Sequence, residues 1–233
     1  MSYIDLLINY IRYSAMYRWI LHFDNKKGAI LDFGCGKGEF VSYLRKKGQE
    51  AYGVDPEIKP MSFLFTSLAR LEENIHKPFE AISLNFSLEH CDNPLLTLKE
   101  LYTLLTPGGL LLIRVPNLTY ILKNKELSSF QLKIPSHRHF FTPESLNKLL
   151  KKAGFTTLVT DTRLCITSAL TAPCSILPNL DPMKWLYNKN VATKFVNGMT
   201  LGFLSLVFLP YVLLKSQLGE GTIIHTVAKR DNP

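Results

Sequence analysis

Residues 30–40 read Ile30-Leu31-Asp32-Phe33-Gly34-Cys35-Gly36-Lys37-Gly38-Glu39-Phe40, which places three glycines between two different hydrophobic patterns. The apolar run from Ala29 to Leu31 predicts a buried strand, and the residues from Glu39 to Lys47 follow a helical pattern. Glycines at such a junction let the backbone pass close to a ligand, and the helix that follows presents free N–H groups to an anionic or carboxylate-bearing one. This stretch therefore predicts a ligand-binding turn.

A second apolar run, from Ala51 to Val54, ends in Asp55, seventeen residues after Gly38. An acid at the tip of the second strand is well placed to accept hydrogen bonds from a ribose diol. The turn and Asp55 together predict a nucleoside-containing cofactor. The dinucleotide fingerprint is G-x-G-x-x-G, whereas the spacing here is G-x-G-x-G. This difference disfavours a nicotinamide-dependent oxidoreductase, which is kept as an alternative.

The glycine spacing, with Asp32 two residues before the first glycine, resembles that of the class I S-adenosylmethionine-dependent methyltransferases of the small-molecule and lipid type. In that family the glycine loop wraps the methionine part of the cofactor, and the acid that closes strand 2 holds the ribose hydroxyls. The resemblance implies S-adenosylmethionine as cofactor, with Asp32 and the loop at its amino-acid end and Asp55 at its ribose. Asn85 and Phe86, where strand 4 ends, are implied beside its methyl group. The implied cofactor-binding residues are Asp32, Phe33, Gly34, Cys35, Gly36, Gly38, Asp55, Asn85 and Phe86.

The order of the later motifs extends this resemblance over about residues 28–161, and it resumes at Gly219. The motifs are, in order, a strand over 79–85, the segment Ser87-Leu88-Glu89-His90, a helix over 95–105 opened by Asn93-Pro94, a Thr106-Pro107-Gly108-Gly109 turn, a strand over 110–115, the segment His137 to Thr142, a helix over 143–153 and a strand over 222–228. The implied fold is α/β, a doubly wound Rossmann-like methyltransferase sheet with an antiparallel last strand.

We expect one domain over residues 1–233. Its implied parts are an N-terminal helical segment (1–27), the cofactor-binding core (28–161), an apolar excursion (162–218) and the final strand (219–233). The N-terminal helix either forms a lid over the cofactor or packs on the sheet edge, and the pattern alone leaves both open.

The region between Asp55 and Phe79 departs from the family pattern. A parallel crossover normally needs a dozen or more residues and usually a helix, but the short Pro56–Pro60 segment leaves no room for one. Either strand 3 is reached by a short loop, or strand 3 is vestigial. Because the tip of strand 3 helps to bind adenine in the family, we consider Ser67 for that contact.

Two residues after strand 4 are the candidates for catalysis. If the acceptor is a hydroxyl, a general base assists methyl transfer. His90 is the candidate for this base, and Glu89 precedes it in the sequence. The alternative is that both residues only orient the loop. We expect no metal, because Phe86 stands where some related O-methyltransferases have an acidic ligand. His137 and His139 either line the acceptor pocket or pin a loop.

The charge and the cysteine content of the chain indicate which partners and which cellular compartment to expect. The net charge of +8 is spread over predicted helix faces, and no stretch interleaves basic and aromatic residues, so a nucleic-acid partner is disfavoured. The cysteines show no paired C-x-x-C spacing, which favours a reduced cytoplasmic setting over zinc or disulfides; they are Cys35, Cys91, Cys165 and Cys174. Within the glycine loop, Cys35 reads as a small space-filler and not a nucleophile. The start of the chain lacks a signal-peptide pattern.

An apolar segment over residues 195–214 has no charged residue and is long enough to span a bilayer. A span conflicts with the sheet strand predicted after it, and Gly202 and Pro210 favour bends. Basic and aromatic residues flank the segment, namely Lys184, Trp185, Tyr187, Lys189, Lys194 and Lys215. The alternatives are peripheral attachment to the inner membrane face, a hydrophobic cap over the substrate site, and a true span.

The sequence thus predicts a methyltransferase that acts on a small or lipid-like acceptor, at oxygen. The main alternative of another class is a non-catalytic protein that binds the cofactor or docks on a membrane.

Overall fold

The computed structural model describes residues 3–23, 28–123, 136–162, 191–217 and 221–231. Predictions that concern Cys165 and Cys174, the flanking residues 184–189, and residues 219–220 lie outside this described part. The elements are α1 (Tyr3–Phe23), β1 (Ile30–Phe33), α2 (Glu39–Lys46), β2 (Ala51–Val54), β3 (Leu64–Phe65), α3 (Leu68–Asn74), β4 (Phe79–Asn85), a 3₁₀ turn (Leu88–His90), α4 (Pro94–Leu104), β5 (Leu105–Pro116), α5 (Leu118–Lys123), α6 (Pro143–Lys152), β6 (Phe155–Asp161), α7 (Val191–Gln217) and β7 (Ile223–Arg230).

The strands form one seven-stranded sheet in the order β3-β2-β1-β4-β5-β7-β6. Ile30 at the start of β1 pairs in parallel with Ala51 of β2 on one side and with Ala81 of β4 on the other. The strand order therefore reverses at β1, and in open α/β sheets such a reversal opens a crevice at the carboxyl ends of the strands. The sheet is mixed, with antiparallel last strands. The predicted fold class is confirmed.

The central strands are buried because they carry apolar side chains on both faces, as parallel strands covered by helices do. Leu31, Ile82 and Leu111 are fully buried in β1, β4 and β5. The spacing of apolar residues explains α2, since Phe40, Val41 and Leu44 lie on one side of the helix and are buried. These contacts fix α2 against the sheet directly after the glycine turn.

The structure of β3 decides between the two alternatives for strand 3, a short connecting loop or a vestigial strand. Leu64 and Phe65 pair in parallel with Gly53 and Val54 of β2. Residues 55–63, which connect β2 to β3, contain no helix, so the short-loop alternative is correct. Ser67, considered for an adenine contact, is the N-cap of α3, and its Oγ accepts a hydrogen bond from the Arg70 N–H at 3.2 Å.

β5 begins earlier than predicted. The sequence placed a turn at residues 106–109 and started the strand at Leu110, but the strand begins at Leu105. Phe79 of β4 pairs with Leu105, whereas Ala81 pairs with Leu110, so the register shifts between these two pairs. The glycine-rich residues are therefore accommodated as an irregularity within the strand, as in a bulge, and the predicted start was wrong.

The chain forms two compact units. The first comprises Met1–Arg114, Asn147–Val159 and Thr226–Pro233, and the second comprises Val115–Leu146 and Thr160–His225. The first unit holds β1 to β4, α1 to α4 and a hydrophobic core. The second unit holds α5 and α7. Within the part of the chain that is described, no helix is both long and apolar enough to cross a membrane.

α1 packs on α2 within the first unit. Tyr13, Met16 and Ile20 of α1 are buried in the same hydrophobic cluster as Phe40 of α2. The Tyr13 ring lies 5.5 Å from the Phe40 ring, and its hydroxyl donates a hydrogen bond to Glu39 at 2.8 Å. The predicted N-terminal helix is thus anchored on the helix that leaves the glycine turn.

The burial pattern of α4 gives a direct test of the core. Leu98 is fully buried, whereas Leu96 on the same helix is 53% exposed. Leu98→Ala should lower the free energy of unfolding by ~2–5 kcal/mol, because it removes buried methylene groups and leaves a cavity. The matched control Leu96→Ala should change it by no more than ~0.5 kcal/mol. Urea titration followed by circular dichroism measures both; equal losses would contradict the assignment of Leu98 to the core.

Candidate active site

The glycine turn lies at the carboxyl end of β1 and follows from a steric requirement. Gly34 has φ +74°, and a Cβ built on it would lie 2.2 Å from the Cβ of Ser87. Any side chain at Gly34 would therefore collide with the residues after β4. A Cβ built on Gly36 meets no atom within 4 Å, so the middle of the turn borders open space. This is the geometry of a backbone that a ligand can approach closely.

Asp55 holds the glycine turn in place. One of its carboxylate oxygens accepts a hydrogen bond from the Gly36 N–H at 2.9 Å, and the other accepts one from the Glu57 N–H at 3.0 Å. An ionised carboxylate can accept about four hydrogen bonds. Asp55 therefore keeps acceptor capacity for two hydroxyl groups, and its half-exposed position leaves it accessible.

Asp32 is buried between β1 and β4. It is 3% exposed, and Oδ1 accepts a hydrogen bond from the Ser83 hydroxyl at 2.7 Å. A buried carboxylate is tolerated only where hydrogen bonds satisfy it, and Ser83 provides one. The predicted contact of Asp32 with the amino-acid end of the cofactor stays a prediction.

Two serines of the β4 region complete this edge and were missed by the sequence reasoning. The Ser87 hydroxyl donates to the Phe33 carbonyl at 2.8 Å, as the Ser83 hydroxyl does to Asp32. The signal was present, because hydroxyls inside and just after an apolar strand need buried partners. Their partners lie more than fifty residues away in the chain, which no local pattern reveals.

The residue after β4 has an unusual backbone. Phe86 has φ +57° and is the one non-glycine residue of the described ranges with positive φ. Such a conformation costs on the order of 1–3 kcal/mol and is found most often at functional sites. The Phe86 N–H donates to the Arg114 carbonyl at 2.9 Å, and the Arg114 guanidinium lies 5.3 Å from the Phe86 ring centroid.

Arg114 also holds Asn85. Its Nη1 donates to the Asn85 side-chain oxygen at 3.2 Å, and Arg114 is only 9% exposed. Arg114 thus orients both residues that the sequence placed beside the transferred methyl group. Arg114 is the one charged residue of the strand predicted over 110–115, and its partners depend on the pairing of β4 with β5.

Glu89 and His90 lie in the 3₁₀ turn after β4. Glu89 is 1% exposed, and neither carboxylate oxygen has a hydrogen-bond partner within the described part of the chain. Burial raises the pKa of Glu89 from 4.5 to about 7. Side-chain ligand atoms of Glu89 and His90 lie within 4.8 Å of each other. The two predicted catalytic residues are neighbours in the sequence, and in the structure their side-chain polar atoms also lie close to each other.

Three further residues singled out from the sequence are Cys35, His137 and His139. Burial raises the pKa of Cys35 to about 12, so its thiol is protonated at neutral pH, which supports its role as a space-filler because the thiolate is the nucleophile. In the second unit, the ring of His137 lies 6.2 Å from Phe140 and that of His139 lies 6.4 Å from Phe141. That these histidines line an acceptor pocket and that they only hold a loop in place stay the two alternatives of the prediction.

Comparison of the sequence with known proteins gives consistent matches. A family model described as a methyltransferase domain matches residues 9–160, more than half of the chain. The Bacillus subtilis protein named "Putative methyltransferase YqeM" is 29% identical over 131 residues, covering 49% of this chain and 53% of YqeM. The mitochondrial ubiquinone biosynthesis O-methyltransferase of Rattus norvegicus is 26% identical over 149 residues, covering 54% of this chain and 43% of that protein. The chain spans about half the length of the curated relatives that it matches.

Solved structures share the fold. The plantazolicin methyltransferase BamL, solved with a triazolic desmethylPZN analogue and SAH, aligns with a TM-score of 0.59 at 14% identity, covering 95% of this chain and 85% of BamL. A SAM-dependent methyltransferase from Archaeoglobus fulgidus aligns with a TM-score of 0.53 at 19% identity, covering 98% of this chain and all of that one (100%). At these identities the likeness concerns the fold.

The buried Glu89 makes stability depend on pH. Its pKa is raised in the folded state, so the folded state binds the proton more tightly than the unfolded chain does. The resulting stabilisation is fully present below pH 4.5 and is lost as the pH rises through 7. At about 1.4 kcal/mol per pKa unit, this amounts to about 3 kcal/mol.

Glu89→Gln removes the titrating group. We expect the variant to gain stability relative to the parent protein by about 3 kcal/mol as the pH rises from 4.5 to 8, measured by urea titration at a series of pH values. Glu100→Gln, at an exposed position of α4, should follow the parent protein at every pH. A Glu89→Gln profile parallel to that of the parent protein would show that Glu89 is not buried in this way.

Proposed function

Since the chain belongs to the class I S-adenosylmethionine-dependent methyltransferases, we propose that it transfers a methyl group to an oxygen atom of a small or lipid-like acceptor. The observation that supports oxygen as the nucleophile is the buried carboxylate of Glu89 beside His90, for which the described residues provide no hydrogen-bond partner. A hydroxyl must lose its proton during transfer, and this pair is suited to take it. Relatives named as ubiquinone biosynthesis O-methyltransferases support the same choice.

The described residues fit the cofactor. The open side of Gly36 and the free acceptor capacity of Asp55 lie together at the end of β1 and β2. We assign the ribose hydroxyls to Asp55, and the amino-acid end to the glycine turn and Asp32. When bound, S-adenosylmethionine supplies an electrophilic methyl group on a sulfonium. We assign Asn85 and Phe86 to the neighbourhood of this methyl group, where Arg114 keeps both fixed.

His90 is the proposed general base, and Glu89 supports it. A carboxyl group with a pKa near 7 is partly ionised at neutral pH, so it can stabilise an imidazolium formed at His90 or receive a proton from it. The backbone N–H of His90 donates to the Ser87 carbonyl at 3.1 Å, which fixes the turn that carries both residues. The rest of the catalysis comes from positioning the acceptor and excluding water.

The lipid-like nature of the acceptor is supported by two features. The chain carries a net charge of +8, which suits the anionic surface of a membrane. α7 is a 27-residue helix with large apolar side chains on its surface. We therefore place the enzyme at the inner membrane face, where a lipid-like acceptor is available. Nucleic acid is not proposed as an acceptor.

Asp55 is tested by direct binding. Asp55→Ala should weaken S-adenosylmethionine binding by roughly 1.5–3 kcal/mol, about ten- to a hundredfold, because charge-assisted hydrogen bonds to the ribose are lost. Isothermal titration calorimetry measures the affinity. Glu57→Ala is the matched control, since it removes a neighbouring exposed carboxylate and keeps the N–H that Asp55 accepts. Unchanged affinity in Asp55→Ala would exclude the ribose assignment.

The acceptor class and the base are tested together. The protein is incubated with S-adenosylmethionine carrying a radioactive methyl group and with separated lipid, RNA, protein and small-metabolite fractions of the host. We expect label in the lipid fraction, and His90→Ala should lower it by about a hundredfold with S-adenosylmethionine affinity unchanged. His76→Ala, at an exposed histidine before β4, should retain activity. Label in RNA or protein would change the acceptor class, and cofactor binding without any label would indicate a non-catalytic protein.

A further inference from the structure

α7 presents an exposed apolar stripe. The stripe consists of six side chains spread over about 22 Å of helix, and neighbouring members are one, three, four or six residues apart in the chain; they are Met199, Phe203, Leu206, Val207, Leu213 and Leu214. Phe203 and Leu206 are 67% and 70% exposed. Positions spaced in this way lie on one side of an α-helix. Large apolar side chains therefore form a continuous strip on the surface of the second unit.

The opposite side of α7 is the one that packs. Ser205 is buried, and Leu204 and Phe208 are half-buried. A helix that served only to fill a core would direct its largest apolar residues inward and its serine to solvent. α7 does the reverse at Ser205 and Leu206. A contiguous apolar patch on a protein surface is characteristic of an interaction site.

The charges along this part of the chain indicate what the stripe contacts. Residues 182–219 contain no Asp or Glu and four lysines, at positions 184, 189, 194 and 215. Protein interfaces are depleted in lysine, and a second copy would bring like charges together. A bilayer with anionic headgroups accommodates both features, because apolar side chains enter the acyl boundary while lysines stay at the phosphates.

We infer that the stripe of α7 docks on an anionic membrane surface, with the helix lying along the interface. Pro210 lies inside the helix and is itself exposed, which is compatible with a bend that follows a surface. This docking does not rest on the proposed oxygen acceptor, since it concerns only the exposed face and the lysines. It would bring the protein to a lipid-like acceptor if the proposed function is correct.

The test uses the full chain and sedimentation with large vesicles of phosphatidylcholine, prepared with and without phosphatidylserine. We expect sedimentation with the anionic vesicles, weakened by high salt because charge attraction is screened. Leu206→Ser should lower the partition coefficient by about tenfold, because one buried leucine side chain is lost from the lipid boundary. Leu206→Glu should lower it further.

Leu96→Ser and Leu96→Glu are the matched controls, because Leu96 is also exposed but lies on α4. They should bind vesicles like the parent protein, and thermal melts confirm that all four variants fold. Three results would overturn the inference: no sedimentation of the parent protein, equal effects at positions 206 and 96, or a lipid-free dimer that Leu206→Ser converts to monomer. The last would assign the stripe to a second copy. Methyl transfer is assayed separately, so its failure leaves this result intact.

Discussion

Two serine hydroxyls fasten the end of β4 to the end of β1, and the site is built on this attachment. Ser83 donates to the Asp32 carboxylate and Ser87 to the Phe33 carbonyl. The second contact brings the chain after β4 so close to Gly34 that no side chain fits there. The glycine turn and the turn that carries Glu89 are therefore positioned by one pairing of two strands, at the point where the sheet order reverses.

The two buried carboxylates at this edge of the sheet differ in their hydrogen bonding. Asp32 receives a hydroxyl donor, so its charge is compensated where it is buried. Glu89 is as deeply buried but has no donor in the described part of the chain, so its ionised form is disfavoured and its pKa rises. Carboxylates of one site that differ in this way commonly divide the work of binding and proton transfer.

The sequence was informative where a local pattern determines the structure. β2 and β4 have the predicted bounds, because apolar runs between turn residues specify buried strands. The start of β5 was wrong because the same glycine-rich residues suit a turn or an irregularity within a strand, and only pairing with β4 distinguishes them. For the site, the glycine turn and Asp55 were predicted together. The contact of Arg114 with Phe86 was not predicted, because it depends on the register of β4 and β5.

α7 illustrates a further limit of sequence reasoning. A long apolar run has no polar side, so its composition cannot indicate which face packs and which is exposed. The structure decides this, because Ser205 is buried while Leu206 is exposed. Folding alone gains nothing from this arrangement, since burying the leucine would remove more apolar surface from water. An exposed face that folding does not favour is the observation from which the contact of α7 with a membrane is proposed.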